Sequence, residues 1–205
     1  MGRSAAMFEA IDGGGAAIAL DEVEISILRS LAVNLLELIG PGAPEPDADA
    51  DPLAVLFAEE HQGPTEKPAD PALARLFPDA YGGPGSEDKG VDQAEIAARS
   101  AEFRRFTEND LRARKRDDAL AVVHSLNALT PGEDGSAVLE LTGELALRWL
   151  GALNDLRLTI AARLDITEDD ESALLFGLPD DDPRKPISMA YVWLTGLQET
   201  LIETL

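Results

Sequence analysis

Apolar residues recur most regularly between Leu139 and Ile166. At a helical advance of about 100° per residue, Leu145, Trp149, Leu153, Leu156, Ile160 and Leu164 fall on one stripe, and Leu147, Leu150 and Leu158 widen it to roughly half the circumference. A helix with so wide an apolar surface must be covered by several others, so this segment is expected to be the central buried helix of a bundle. Thr142 suits its N-cap, and Glu144 places a carboxylate at the positive end of the helix dipole. Two polar residues interrupt the apolar arc: Arg157 projects between Leu150 and Leu164, and Asn154 between Leu147 and Leu150. Asp155, Arg148 and Thr159 fall on the opposite, wetter face. A buried guanidinium is tolerated only where acceptors satisfy its donors, so Arg157 is expected to meet a carboxylate or a backbone carbonyl on a neighbouring helix.

The remaining pattern predicts smaller elements around that helix. Phe8 to Leu20 reads as a β-hairpin in which Asp12, Gly13, Gly14 and Gly15 make the connection. Asp21 then opens a helix, with Glu24 completing a capping box, Leu28, Leu31, Leu35 and Ile39 as its buried stripe, and Gly40 and Pro41 as its stop. Asp51-Pro52 and Asp70-Pro71 each pair an N-cap with a first-turn proline, predicting short helices over Leu53 to Glu59 and Ala72 to Phe77. Asp92 with Glu95 starts a helical region whose apolar positions include Ala97, Phe103, Phe106 and Leu111. Thr107 followed by Asp110 could restart it, so one helix or two between Gln93 and Leu129 is left open. Ala137 to Leu141 suits a third short strand, and Ala173 to Phe176 a single helical turn. Ile187 to Leu205 is amphipathic, with Tyr191, Leu194, Leu197 or Gln198, Leu201 and Leu205 at helical spacing, and is expected to pack on the central helix. The fold class is therefore mainly α, a helical bundle in one domain over 1–205 with an N-terminal hairpin at 8–20. Flexible acidic loops are expected near 42–51, 82–90 and 178–186.

Charge changes the picture of what such a bundle binds. The 205 residues carry a formal net charge of -22, which argues against nucleic acid and anionic membranes as partners and favours a basic protein. The sequence has no cysteine, which excludes disulfides, thiolate metal sites and cysteine nucleophiles for its own residues and suits the cytoplasm. No apolar run reaches the roughly 18–20 residues of a membrane span, and no signal peptide is evident, so a cytoplasmic protein is expected. Positive charge concentrates from Arg99 to Arg116, interleaved with Glu102, Glu108, Asp110, Asp117 and Asp118. Within that run Arg104, Arg105, Arg112 and Arg114 are the candidate interaction surface, with intramolecular salt links as the competing reading. His61 and His124 have no metal-site spacing, and no acidic cluster matches a calcium loop, so neither a metal nor a cofactor is expected. No catalytic motif stands out.

The segments RLFPDAY (75–81), EFRRFTENDLRARK (102–115) and LNDLRLTIAARL (153–164) together resemble an actinobacterial family, the domain-of-unknown-function family numbered twenty-seventeen. The resemblance spans nearly the whole chain and brings no established activity or catalytic residues. Members are typically encoded near the substrate adaptor of the Clp protease and a metallopeptidase of the sulfur-carrier cysteine route. The resemblance thus implies, by association, a role near regulated proteolysis or cysteine metabolism.

Two functions follow as expectations. The first is a non-enzymatic interaction or adaptor protein with an as yet unknown protein partner; self-association into a homo-oligomer through the terminal helix is a variant of it. The alternative is a small-molecule-binding protein or enzyme with a polar pocket around Asn154 and Arg157, in which Asp110 or Glu95 supplies a carboxylate.

Overall fold

The pleat, which sends successive side chains to opposite faces, makes the strand Ala16–Asp21 (β2) one-sided: Ala16, Ile18 and Leu20 are buried, whereas Ala19 is exposed. The computed structural model describes residues 6–41, 63–83, 90, 92–166 and 178–205. In it β2 lies between Glu9–Ala10 (β1) and Ser136–Leu141 (β3), antiparallel to both, with Ala16 opposite Leu141 and Asp21 opposite Ser136. The hairpin and the third strand are therefore present. The turn needs glycine, because Gly13, Gly14 and Gly15 have φ of 92°, 90° and 115°. A Cβ at Gly15 would also stand 2.2 Å from the Leu141 carbonyl oxygen, inside van der Waals contact with β3.

Five helices follow among the described residues. Glu22–Ile39 (α1) starts at the predicted capping box: the Glu24 amide donates to Asp21 Oδ1 at 2.8 Å, and the Asp21 amide to Glu24 Oε2 at 2.9 Å. It ends at Gly40, whose φ is 83°. Pro71–Leu76 (α2) is capped by Asp70, which accepts from the amides of Ala72 and Leu73. Gln93–Asn127 (α3) is one unbroken helix of 35 residues. Thr107 does not restart it, because its hydroxyl donates to the Phe103 carbonyl one turn back, within the helix. Gly143–Leu164 (α4), capped by Thr142, is the central helix, and Lys185–Glu203 (α5) closes the chain.

Every other helix and β3 pack on α4. Trp149 is fully buried at its middle, edge-on to Phe8 with ring centroids 6.1 Å apart, and its indole N–H donates to Ser125 Oγ at 3.3 Å. Leu153, Leu156, Ile160 and Leu164 continue the buried stripe. Leu194, Leu197 and Leu201 of α5 meet it, and Thr200 ties the chain's start to the same helix by accepting from the Phe8 amide. No helix of the described residues is long and apolar enough to cross a membrane.

Several positions depart from the sequence pattern. Asp155 and Thr159 are buried rather than on a wet face, and only Arg148 of that group is exposed. Thr159 satisfies its hydroxyl on the Asp155 carbonyl of its own helix, which lets it enter the core. Leu147 is 60% exposed, and Leu205 lies past the end of α5 and is also exposed. Phe103 and Phe106 point outward, 48% and 63% exposed, and Ala97 is exposed too. The inward stripe of this half of α3 is instead Ile96, Ser100, Arg104 and Glu108, mostly polar and spaced by four. The helix expected over Leu53 to Glu59, the turn at Ala173 to Phe176, the loop at 42–51 and most of that at 82–90 lie outside the described residues.

Candidate functional site

The basic run of α3 turns inward and joins three other parts of the chain. Arg104 is 5% exposed; its guanidinium donates to Glu108 Oε2 at 2.5 Å, to the Phe77 carbonyl at 3.1 Å and to Asp79 Oδ1 at 2.8 Å. Glu108 also accepts from Arg112 Nε at 2.9 Å, so one buried carboxylate serves two guanidiniums. Arg112 lies over the Phe77 ring, 4.3 Å from its centroid, and donates to the Ile39 carbonyl at 2.7 Å. Arg116 donates to the Gly40 carbonyl. The last turn of α1 has no basic residue of its own, so α3 supplies the cations that its terminal carbonyls require. Burial works against the charge of Asp79, but the hydrogen bonds and charges of Arg104 and Lys67 outweigh it and hold that carboxyl below the usual range.

This arrangement divides the arginines expected to form an interaction surface. Arg104 lies inside the fold, and Arg112 is largely enclosed by its partners. Arg105 is half-buried with its guanidinium 5.6 Å from the Phe106 ring, and Arg114 is exposed. Asp110 is exposed on α3 one turn before Arg114, outside the lining of the polar groove to which Asn154 belongs.

That polar groove has a volume of about 520 Å³ and runs between α3 and α4, with Arg114, Asp118, Glu144, Arg148, Asn154 and Gln198 among its lining residues. Arg157 sits beside it and turns to α5, where Nε donates to Thr195 Oγ1 at 2.9 Å, Nη1 donates to Gln198 Oε1, and the guanidinium stands 5.4 Å from the Tyr191 ring. A hydroxyl and a side-chain amide of the terminal helix thus both accept from Arg157. The structure brings Asn154 and Arg157 near one another through Gln198 and leaves Asp110 and Glu95 elsewhere.

Beneath this groove the buried charge of α4 is Asp155, 2% exposed and accepting from Lys115 Nζ at 2.5 Å. Burial pushes the Asp155 carboxyl up, and the hydrogen bond and charge of Lys115 only partly offset it. Burial and the nearby Asp155 charge push Asp118 up as well. Asp118 reaches this position only because residue 151 is glycine: a Cβ there would be 2.7 Å from Asp118 Oδ2. A carboxyl whose folded pKa lies above its unfolded value adds stability while protonated and loses it as pH rises through the folded value. Asp118→Asn is therefore expected to be more stable than the parent chain at neutral pH, with the advantage shrinking in acid. Urea unfolding at both pH values checks this, and an advantage that grows in acid would reverse the assignment.

An apolar surface lies between α1 and α5. Both helices pack on α4 and scarcely on each other, leaving a groove of about 700 Å³. Ile27, Leu31, Ile187, Met189, Ala190 and Trp193 line it together with Pro186, and Glu24 is the one charged lining residue among the described residues. Ile27 and Met189 are 42% and 63% exposed, and Val23 next to them is 65% exposed. Such a patch on a soluble surface is the mark of an interaction site. Sequence reasoning passed over it, although the signal was present as surplus: α1 and α5 carry more apolar residues than their buried stripes use.

Against known proteins, a family model described as Domain of unknown function (DUF2017) matches residues 5–205. A relative in Mycobacterium leprae is 32% identical over 182 residues, covering 87% of this chain and 77% of its own length. Relatives in Mycobacterium tuberculosis (strain ATCC 25618 / H37Rv) and Mycobacterium bovis are each 29% identical over the same shares. Those two are named oxidative stress regulator AosR, and the M. leprae protein carries that name in provisional form. No solved structure matches the chain.

Proposed function

The chain belongs to the DUF2017 family, and from that premise we propose that it is a cytoplasmic regulatory protein that acts by docking a protein partner in the apolar groove between α1 and α5. The observation that carries this reading is the groove itself, whose exposed Ile27 and Met189 cost solvation unless something covers them. The names of the mycobacterial relatives support a regulatory setting in the oxidative stress response. With no cysteine, this sequence has no thiol of its own to oxidise, so under this reading a thiol-based response to oxidants reaches it through the partner. A place beside regulated proteolysis or cysteine metabolism, which the gene neighbourhood of the family implies, belongs to the same proposal as a statement about that partner.

Ile27→Asp with Met189→Asp at the chromosomal locus of the native host tests the reading. Both side chains are exposed, so the variant is expected to accumulate and fold as the parent does while the host loses oxidant tolerance to the extent seen on deletion. Full tolerance with the double variant at normal abundance would remove the groove from the function.

A second reading keeps the polar groove. Arg114 and Arg148 share one concavity with Asp118, Glu144, Asn154 and Gln198, which suits a small polar ligand. Under this reading Arg148→Ala shifts the response to such a ligand, and the apolar groove is irrelevant.

A further inference from the structure

The surroundings of the apolar groove narrow what fits it. Its walls are two helices, and the lining positions 24, 27 and 31 of α1 and 186, 187, 189, 190 and 193 of α5 each extend over about two helical turns. An occupant that lays apolar residues at i, i+3 or i+4 and i+7 along such a trough is an amphipathic helix.

Acidic charge predominates around the trough. Glu24 lines it, and the first turn of α1 has no basic residue. The two cations at the start of α5 are already engaged, Arg184 with Asp182 at 2.9 Å and Lys185 with Asp180. With a net charge of -22 on the whole chain, a second copy would bring like charge to a chain that is already strongly negative.

We propose that the groove between α1 and α5 receives a basic amphipathic helix of another protein, its apolar stripe against Ile27, Met189 and Trp193 and its lysines or arginines toward Glu24 and the acidic surface of the chain. This rests on the docking reading of the groove and adds the chemistry of the partner. Packing of the incoming helix's ridges into the trough sets its register, and the acidic excess of the chain selects against acidic helices and against self-association.

Trp193 makes the proposal measurable. The chain has two tryptophans; Trp149 is sealed at 0% exposure, whereas Trp193 is half-buried at the groove. Three synthetic 18-residue peptides without tryptophan share one leucine pattern of helical period and differ only in their polar residues: lysine, glutamine or glutamate. On titration into the full chain, the Leu/Lys peptide is expected to move the emission to shorter wavelength. It should bind at least tenfold more tightly than the Leu/Gln peptide, with no response to Leu/Glu. Trp193→Phe should abolish the signal, and the charge-neutral pair Ile27→Asn with Met189→Asn should weaken Leu/Lys binding at least tenfold while leaving the circular dichroism unchanged.

Equal binding of Leu/Lys to parent and Asn variants, followed by anisotropy of a labelled peptide, would mean general attraction to an acidic surface and would overturn the proposal. Leu/Gln binding as tight as Leu/Lys would overturn the basic class and leave docking in the groove standing. No binding by any of the three would remove both. Light scattering that shows a dimer dispersed by the Asn pair would assign the groove to a second copy instead.

Discussion

Glu108→Ala is expected to destabilise the chain by about 3–5 kcal/mol, the range seen when one partner of a buried ion pair is removed. In a chain of this size that loss lowers the thermal midpoint by roughly 10 °C. The side chains of Glu108 and Arg104 are 2% and 4% exposed, and the Glu108 carboxylate is shared with Arg112. Its removal leaves two guanidiniums facing the Phe77 ring and the end of α1 with too few acceptors. The Coulomb attraction is not the main quantity, since a buried pair is about as stable as the apolar side chains that could replace it. The triple variant Arg104→Met, Glu108→Leu and Arg112→Met is therefore expected to recover most of what Glu108→Ala loses. Urea unfolding of the two variants beside the parent decides it. A loss below about 1 kcal/mol for Glu108→Ala would mean a solvated, inexpensive pair of the ordinary surface kind.

Trp149→Ala is expected to cost a further independent amount of about 3–5 kcal/mol, because a large buried ring is replaced by a cavity that its neighbours fill only in part. Trp149 sits where α4, Phe8 of the N-terminal segment and Ser125 of α3 converge. Against a total stability of roughly 5–15 kcal/mol for a natural domain, the variant retains little margin. Trp149→Phe keeps the edge-on contact with Phe8, gives up the indole hydrogen bond and should lose distinctly less. Calorimetry of the two variants orders them; equal losses would place the value of this residue in its N–H and not in its volume.

How far the fold was legible depended on how local its causes are. The capping box of Asp21 and Glu24, the Asp70-Pro71 start, Asp92 and Thr142 act within one turn, so residue type and spacing sufficed to place them. The same holds for the glycine turn before β2. The first half of α3 misled because the reading assumes that apolar residues face inward. There Ser100, Arg104 and Glu108 face inward and Phe103 and Phe106 do not. What makes this tolerable is a set of partners at Phe77, Asp79 and Ile39, 25–73 residues away in sequence, which periodicity does not see. Asp155 misled in the same way, since its counter-ion Lys115 lies 40 residues earlier.

The candidate site was less legible than the fold. Arg157 and Asn154 stood out as polar breaks in an apolar arc, and the structure does put Asn154 on a groove. Yet Thr195 and Gln198, which accept from Arg157, are ordinary residues of the terminal helix with no sequence signal of their own. The apolar groove depends on which faces of α1 and α5 stay uncovered once both lie on α4, a property of the assembled bundle. Arg104 and Arg112 looked like a surface because a run of arginines usually is one; here their donors are used up inside the molecule.

Site-specific photocrosslinking in the native host tests most directly whether the apolar groove is where this protein works. A photoreactive phenylalanine at position 189 is expected to yield one discrete adduct with another protein, while the same group at Leu147, exposed beside the polar groove, yields none. An adduct from position 147 with none from position 189 would contradict the account and move the function to the polar side of α4.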